Sequence, residues 1–304
     1  MLKECSLIAT IPNMNNLNKV EEIIKNPHVK EIRWNTGIIT PFSELETLKI
    51  LLDLSALYNK KLWVDIKGRQ LRVTEWGAPL YSSIKLNHNV EITGSAQVIL
   101  RGESPLNLIS VKNNEIFVSP LPRHAVGAGQ SVNIIPANTT SKVNINGYLT
   151  ESDISYLEAC KVLEIKNIMA SFIERKEDIQ EIKSILNECE IICKIESKKG
   201  LFELPEFAHY TLMAARDDLY IELNHDPYKM QHALKNIIHC DPHAICASRI
   251  FTSLEHSDNI SFADFEDLEN NYKLGYRQFM LCDNICNYRF EKAIKGWEMF
   301  INHV

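Results

Sequence analysis

Short apolar, β-branched runs alternate along this chain with longer stretches of helical periodicity, and the alternation stops once and then resumes. Before the break, strands are expected at Ser6 to Ile11, Val29 to Trp34 and Leu62 to Ile66, with helices at Leu17 to Ile24 and Glu44 to Tyr58. After it, strands are expected at Asn167 to Phe172, Glu190 to Ile195, Tyr210 to Ala215, Ala244 to Ala247 and Gln278 to Leu281. Helices fall between them, including Lys176 to Leu186, Pro227 to Ile238 and Phe262 to Leu274, and Phe290 to Phe300 closes the series. Strands of this kind, separated by helices, are parallel and buried on both faces. Three before the break and five after it fit a closed (β/α)8 barrel, because closure removes both sheet edges. An open doubly wound sheet is the alternative.

From about Val73 to Ile145 no amphipathic helix is visible. Ile84 to Ile92, Ala96 to Leu100, Leu106 to Val118 and Ser131 to Ile134 read as strands, with turn-like LNHN, TGS, KNN and GAG among them. The expected organisation is residues 1–72 as the first part of a TIM barrel, 73–145 as an inserted small β-barrel-like domain, and 146–304 as the remainder of the barrel.

Charge narrows the partners. With 33 Lys and Arg against 39 Asp and Glu, the formal charge of -6 gives no general attraction for nucleic acid or acidic membranes. No apolar run approaches the ~18 residues that span a bilayer. MLKECSLIATIP runs into polar NMNN without a signal-peptide pattern. The eight cysteines sit in or beside apolar runs such as IICKI and AICAS, which reads as buried thiols in a reducing cytosol. These features predict a cytoplasmic protein with no nucleic-acid or membrane partner. Self-association into a homo-oligomer stays open.

In such a barrel, polar groups at the C-terminal ends of the strands face one shared site. Arg33, Asn35, Asp65, Lys67, Lys194, Glu196, Arg216, Asp218 and Ser248 all follow buried-looking runs. Lys194 and Glu196 are two apart in IICKIES and therefore point to the same side of a strand. Each charge would be costly to bury alone, and a pair or a bound metal offsets the desolvation. Glu196 and Asp218 are candidate oxygen ligands for Mg2+ or Mn2+. Lys194 is placed to steady developing negative charge, Arg33, Arg72 and Arg216 to hold phosphate or carboxylate, and Ser248 to orient substrate or a proton-carrying water. The bland alternative is a set of structural salt bridges at strand ends. His124 and His225 are read as surface groups.

The order of these motifs resembles the pyruvate kinase family over nearly the whole chain. LIATI at 7–11, EIRWN at 31–35 and DIKGRQLR at 65–72 come first, then GYLTESD at 147–153, followed by CKIES, MAARDDLYIE, ICASRIF and FMLCDN. The resemblance implies a pyruvate-kinase-type barrel with a β domain inserted after its third strand, and does not extend to the family's separate C-terminal regulatory domain. It makes Arg33, Arg72 and Lys194 charge-stabilising groups and Glu196 and Asp218 divalent-metal carboxylates. Asn35 and Asp65 become part of a potassium site, and Arg216 and Ser248 further active-site positions.

Departures from the family pattern gather around phosphate and nucleotide. The first loop reads TIPNMN in place of a Gly-Pro-Ser-like turn, and Gly37-Ile38 replaces a Ser-His pair, removing a potassium-ligand hydroxyl and an imidazole. Ile66 replaces the Thr beside Asp65. Asp217 and Tyr220 replace two glycines, and Cys282-Asp283-Asn284-Ile285-Cys286 stands where a Ser-Gly-Glu-Thr-Ala motif is usual. The potassium and nucleotide sites implied by the resemblance are therefore incomplete, while the metal–lysine set is retained. The preferred reading is a diverged, divalent-metal-dependent enzyme acting on phosphoenolpyruvate, pyruvate or a related 2-oxo acid through an enolate. Retained phosphotransferase activity and a non-catalytic binding or scaffold role are the alternatives.

Overall fold

The computed structural model describes residues 5–77, 83–100 and 102–304. Residues 78–82 and 101 of the expected insertion, and residues 1–4 of the N-terminal stretch, lie outside the described residues. The chain divides into two compact units, one built from residues up to Ile66 together with Ser152–Val304, the other from Lys67–Glu151.

The first unit opens with β1 (Ser6–Ile11), α1 (Leu17–Lys25), β2 (Val29–Asn35), α2 (Glu44–Leu57) and β3 (Lys61–Ile66). The capping of α2 was written into its sequence. The Ser43 hydroxyl accepts from the Glu46 N–H at 3.3 Å, and the Glu46 carboxylate accepts from the Ser43 N–H at 2.9 Å, satisfying two donors that the helix end would otherwise orphan.

The second unit is antiparallel. β4 (Ile84–Lys85), β5 (Val90–Thr93), β6 (Ala96–Leu100), β7 (Leu106–Lys112), β8 (Glu115–Ser119), β9 (Val132–Pro136) and β10 (Lys142–Ile145) form a five-stranded sheet in the order β4-β8-β7-β6-β9 and a two-stranded sheet of β10 with β5. Two expected strands are each broken in two. Leu106 to Val118 is a hairpin, because Asn113 takes a left-handed conformation (φ 57°) between paired Lys112 and Glu115. Ile84 to Ile92 turns at His88, whose Nε2 lies 2.9 Å from the Gly68 carbonyl oxygen, and its halves join different sheets. Val73, Leu86, Val98, Leu106 and Ile116 are among the residues of this unit's own apolar core.

The first unit resumes with α3 (Glu151–Val162), β11 (Asn167–Ala170), α4 (Lys176–Ile185), β12 (Glu190–Ile195), α5 (Lys198–Phe202), β13 (Thr211–Ala215), α6 (Arg216–Glu222), α7 (Pro227–Cys240), β14 (Ile245–Ala247), α8 (Phe262–Leu274), β15 (Gln278–Leu281), α9 (Asp283–Tyr288) and α10 (Phe290–Ile301). Its eight strands close in the order β1-β15-β14-β13-β12-β11-β3-β2, and every pairing is parallel. The open-sheet alternative is thereby excluded. Ile8, Trp63, Met169, Ile192, Met213, Ile245 and Met280 pack together from seven of the eight strands. Side chains two apart on a strand share a face. The next inward positions toward the C-terminal mouth are therefore Thr10, Asp65, Ser171 and Lys194, set directly above this apolar layer. No helix among the described residues is long and apolar enough to cross a membrane.

Candidate active site

That second layer is polar and buried. Asp65, with no solvent exposure, sits at its centre. Arg33 Nε donates to Asp65 Oδ2 at 2.6 Å, and Arg33 Nη2 pairs with the same oxygen. Lys194 Nζ lies 3.2 Å from Asp65 Oδ1, 3.1 Å from Oδ2, 3.2 Å from Glu196 Oε1 and 2.6 Å from Ser171 Oγ. Ser171 Oγ in turn donates to Asp65 Oδ1 at 3.0 Å. Arg33 Nη1 donates to Thr10 Oγ1 at 3.1 Å, and the Thr10 hydroxyl donates to the Leu281 carbonyl at 2.8 Å. Five strands of the barrel, β1, β2, β3, β12 and β15, are tied together by this network, as is Ser171 just beyond β11.

The charges are balanced. Arg33 and Lys194 stand against Asp65 and Glu196, all of them buried. Burial works against the Arg33 guanidinium, but Asp65, Asp283 and Glu196 more than offset it and hold its pKa above the ordinary value. Asp283, at the start of α9, is the acidic group that this chain brings near Arg33 from its last strand. Glu196 shows the opposite balance: burial pushes its carboxyl up to about 7, against the pull of Lys194, and Asp218 and Asp65 push it further. Its Oε2 accepts from the N–H of Phe172 at 2.7 Å, where the backbone turns left-handed (φ 50°) on leaving β11.

Half-buried Asp218 stands on the first turn of α6 and acts on Glu196 through charge. Two carboxylates that repel one another suit a hard divalent cation, which commonly takes one or two carboxylates and fills its remaining positions with water or substrate oxygens. Among the described residues there is no group of three or more His, Cys, Asp or Glu placed to hold a metal. Glu196 and Asp218 are thus the pair on which a divalent site would rest.

Arg216 and Ser248 form a separate arrangement. Buried Arg216 donates through Nη1 to both oxygens of Asp267 at 2.7 and 2.8 Å, and through Nη2 to the Ser248 carbonyl at 2.6 Å. Ser248 is left-handed (φ 64°), as is Arg249 (φ 56°). Arg249 Nε donates to Asp217 at 2.8 Å, and its guanidinium lies 4.5 Å from the centre of the Tyr220 ring. The two residues that replace family glycines are thus both engaged by Arg249. Asn35 Oδ1 accepts from the Gly37 N–H at 3.1 Å. Arg72 belongs to the inserted unit, where its Nη1 donates to the Gly129 carbonyl at 2.6 Å and its Nε to Gln70 at 3.1 Å. His124 is exposed and pairs with Glu103, and His225 packs edge-on against Tyr220.

Thr10 and Ser171 were not singled out from the sequence. Each lies two residues after an inward apolar residue, Ile8 and Met169, and that spacing was the available signal. Glu222 was also missed. It is half-buried at the end of α6, and burial pushes its carboxyl up to about 7, with Lys198 pulling down and Glu174 and Asp218 pushing up.

Barrel, insertion after the third strand and a buried Lys-x-Glu pair leaving the fifth strand define a class of insert-bearing (β/α)8 proteins with a charged C-terminal mouth. The sequence profile of "Pyruvate kinase, barrel domain" matches residues 81–291. The chain belongs to the pyruvate kinase family. It is 24% identical over 284 residues to a pyruvate kinase of Methanocaldococcus jannaschii, covering 89% of this chain and 62% of that protein. It is 26% identical over 252 residues to a pyruvate kinase of Borreliella burgdorferi, covering 73% of this chain and 51% of that protein. The structure of Cryptosporidium parvum pyruvate kinase superposes with a TM-score of 0.73 at 18% identity, over 96% of this chain and 68% of that one. The chain thus spans between half and two thirds of the length of these two sequence relatives.

Proposed function

We propose that this chain is a divalent-metal-dependent enzyme that acts on phosphoenolpyruvate, pyruvate or a related 2-oxo acid through an enolate. The observation that supports it is the Lys194 ammonium, held 3.2 Å from Glu196 and 3.1 Å from Asp65 at the mouth of the barrel. Forming an enolate from pyruvate releases a methyl proton to solvent water and leaves the negative charge on the carbonyl oxygen. A fixed cation in a water-poor site stabilises that charge without reorganising in the transition state. Four oxygen contacts hold Lys194 in one position, which fits an electrostatic role. Glu196 and Asp218 would hold Mg2+ or Mn2+, which when bound polarises the substrate carbonyl. Arg33, second cation of the same network, reinforces the positive potential.

The test is exchange of pyruvate methyl protons with D2O, followed by proton NMR, with Mg2+ or Mn2+ and without nucleotide. Exchange is expected in the native protein and expected to vanish in Lys194→Ala and Glu196→Ala proteins that keep their circular dichroism. Absence of exchange across a range of 2-oxo acids, in protein shown to bind Mn2+, would rule the reading out. Phosphoryl transfer is the second reading, favoured by the family match. ATP formed from phosphoenolpyruvate and ADP by the same preparation would establish it.

A further inference from the structure

Asp65 is the residue around which a monovalent cation would be expected, and the surroundings of its carboxylate are inconsistent with one. We infer that this site functions without K+, because Gly37 and Ile66 supply no ligand side chain around Asp65, whose own oxygens are engaged by Arg33, Lys194 and Ser171. The inference takes the proposed site as its setting but depends on the arrangement of charges and not on the reaction.

A carboxylate with no solvent exposure must be neutralised, since leaving it unpaired costs several kcal/mol. Here both oxygens are engaged. Oδ2 receives Arg33 Nε at 2.6 Å and Lys194 Nζ at 3.1 Å, while Oδ1 receives Ser171 Oγ at 3.0 Å and Lys194 Nζ at 3.2 Å. K+ is held by a shell of oxygens that replaces its hydration, and the neighbouring oxygens have other work. Asn35 Oδ1 accepts from the Gly37 N–H at 3.1 Å. The Thr36 hydroxyl donates to the Asp65 main-chain carbonyl at 2.9 Å. Gly37 has no side chain, and Ile66 places a buried alkyl group next to Asp65 in the chain.

Charge points the same way. The buried set holds two cationic and two carboxyl groups and so carries no excess negative charge. A further monovalent cation would leave a net positive charge in a low-dielectric interior, where an ion without a counter-charge is strongly disfavoured. A divalent ion at the mouth is a different case, because it brings half-buried Asp218 and the substrate carboxylate into the balance. The structure therefore separates two cation requirements that could otherwise be confused.

The experiment uses the full chain at constant ionic strength, with K+, Na+ or tetramethylammonium as the monovalent cation, and reads the melting temperature and the Mn2+ affinity by electron paramagnetic resonance. Both are expected to be the same in K+ as in tetramethylammonium, with Mn2+ affinity equal within about twofold. An Arg33→Met protein, deprived of one built-in cation, is expected to melt higher in K+ than in tetramethylammonium. Should that variant not fold, a single bound Tl+ resonance sought in the native protein by 205Tl NMR takes its place, and none is expected. Mn2+ affinity in the native protein raised more than about tenfold by K+ over tetramethylammonium, or a saturable Tl+ site, would overturn the inference. Neither readout needs turnover. Failure of proton exchange in every salt would count against the enolate reading and leave this inference to be decided by melting and Mn2+ binding.

Discussion

Asp65 illustrates how one buried side chain can set the behaviour of its neighbours. It bridges Arg33, Lys194 and Ser171, so losing its charge leaves two cations against Glu196 alone. Breaking a buried pair by removing one partner typically costs about 3–5 kcal/mol. Asp65→Asn is expected to destabilise the barrel by that order, read as a lower urea midpoint at unchanged m-value through the fluorescence of Trp34 and Trp63. Glu222 carries a different signature. Its carboxyl is raised to about 7 in the folded protein, so the folded state holds a proton that the unfolded chain releases near the ordinary glutamate value. That contribution to stability is present at low pH and is lost as pH rises toward about 7. Glu222→Gln, which keeps the neutral shape, is expected to flatten this part of the profile of melting temperature against pH. At this scale the sequence was partly legible. Charged groups such as Lys194 and Glu196 announced themselves because burying them needs a reason. The hydroxyls of Thr10 and Ser171 did not, since an uncharged polar residue at a strand end has many ordinary uses.

At the scale of the element, the turn after β12 carries an unusual constraint. Glu196 leaves the strand, Ser197 caps α5 by accepting from the Gly200 N–H at 3.1 Å, and a Cβ at Gly200 would run into the main-chain carbonyl oxygen of Ile173. Backbone cannot swing aside as a flexible side chain does. Gly200→Ala is therefore expected to destabilise by about 1–3 kcal/mol, although alanine is ordinarily the better helix former. Because the displaced turn follows Glu196 directly, Mn2+ affinity is expected to fall with stability, whereas an exposed change on the same helix, Lys199→Ala, should leave both near native values. Barrel strands and long helices could be located from sequence because their apolar period is sustained; α8 and β15 keep the expected limits, Phe262–Leu274 and Gln278–Leu281. The inserted strands were less legible. The turn-like KNN at 112–114 was visible but did not fix where one strand ended and the next began, and β4 and β5 join different sheets for reasons of long-range pairing that no local window contains.

Among the described residues, each of the two units has an apolar cluster of its own. A ligand that binds only the folded barrel mouth adds its binding free energy to the stability of that fold. With free Mg2+ at 100 times its dissociation constant this is about 2.7 kcal/mol. Calorimetry is expected to show unfolding moving up by several degrees on adding Mg2+, and to show no shift in a Glu196→Ala/Asp218→Ala protein.

The stacking of a polar layer on an apolar one, each pair two residues apart on the same strand, couples two properties that proteins often keep apart. Sliding β12 by a single residue would turn Ile192 out of the barrel floor and Lys194 out of its mouth in the same movement, because the pleat carries both to the opposite face. A misregistered barrel would lose its apolar layer together with its buried charges, so folding itself screens this molecule for the alignment of that charged layer.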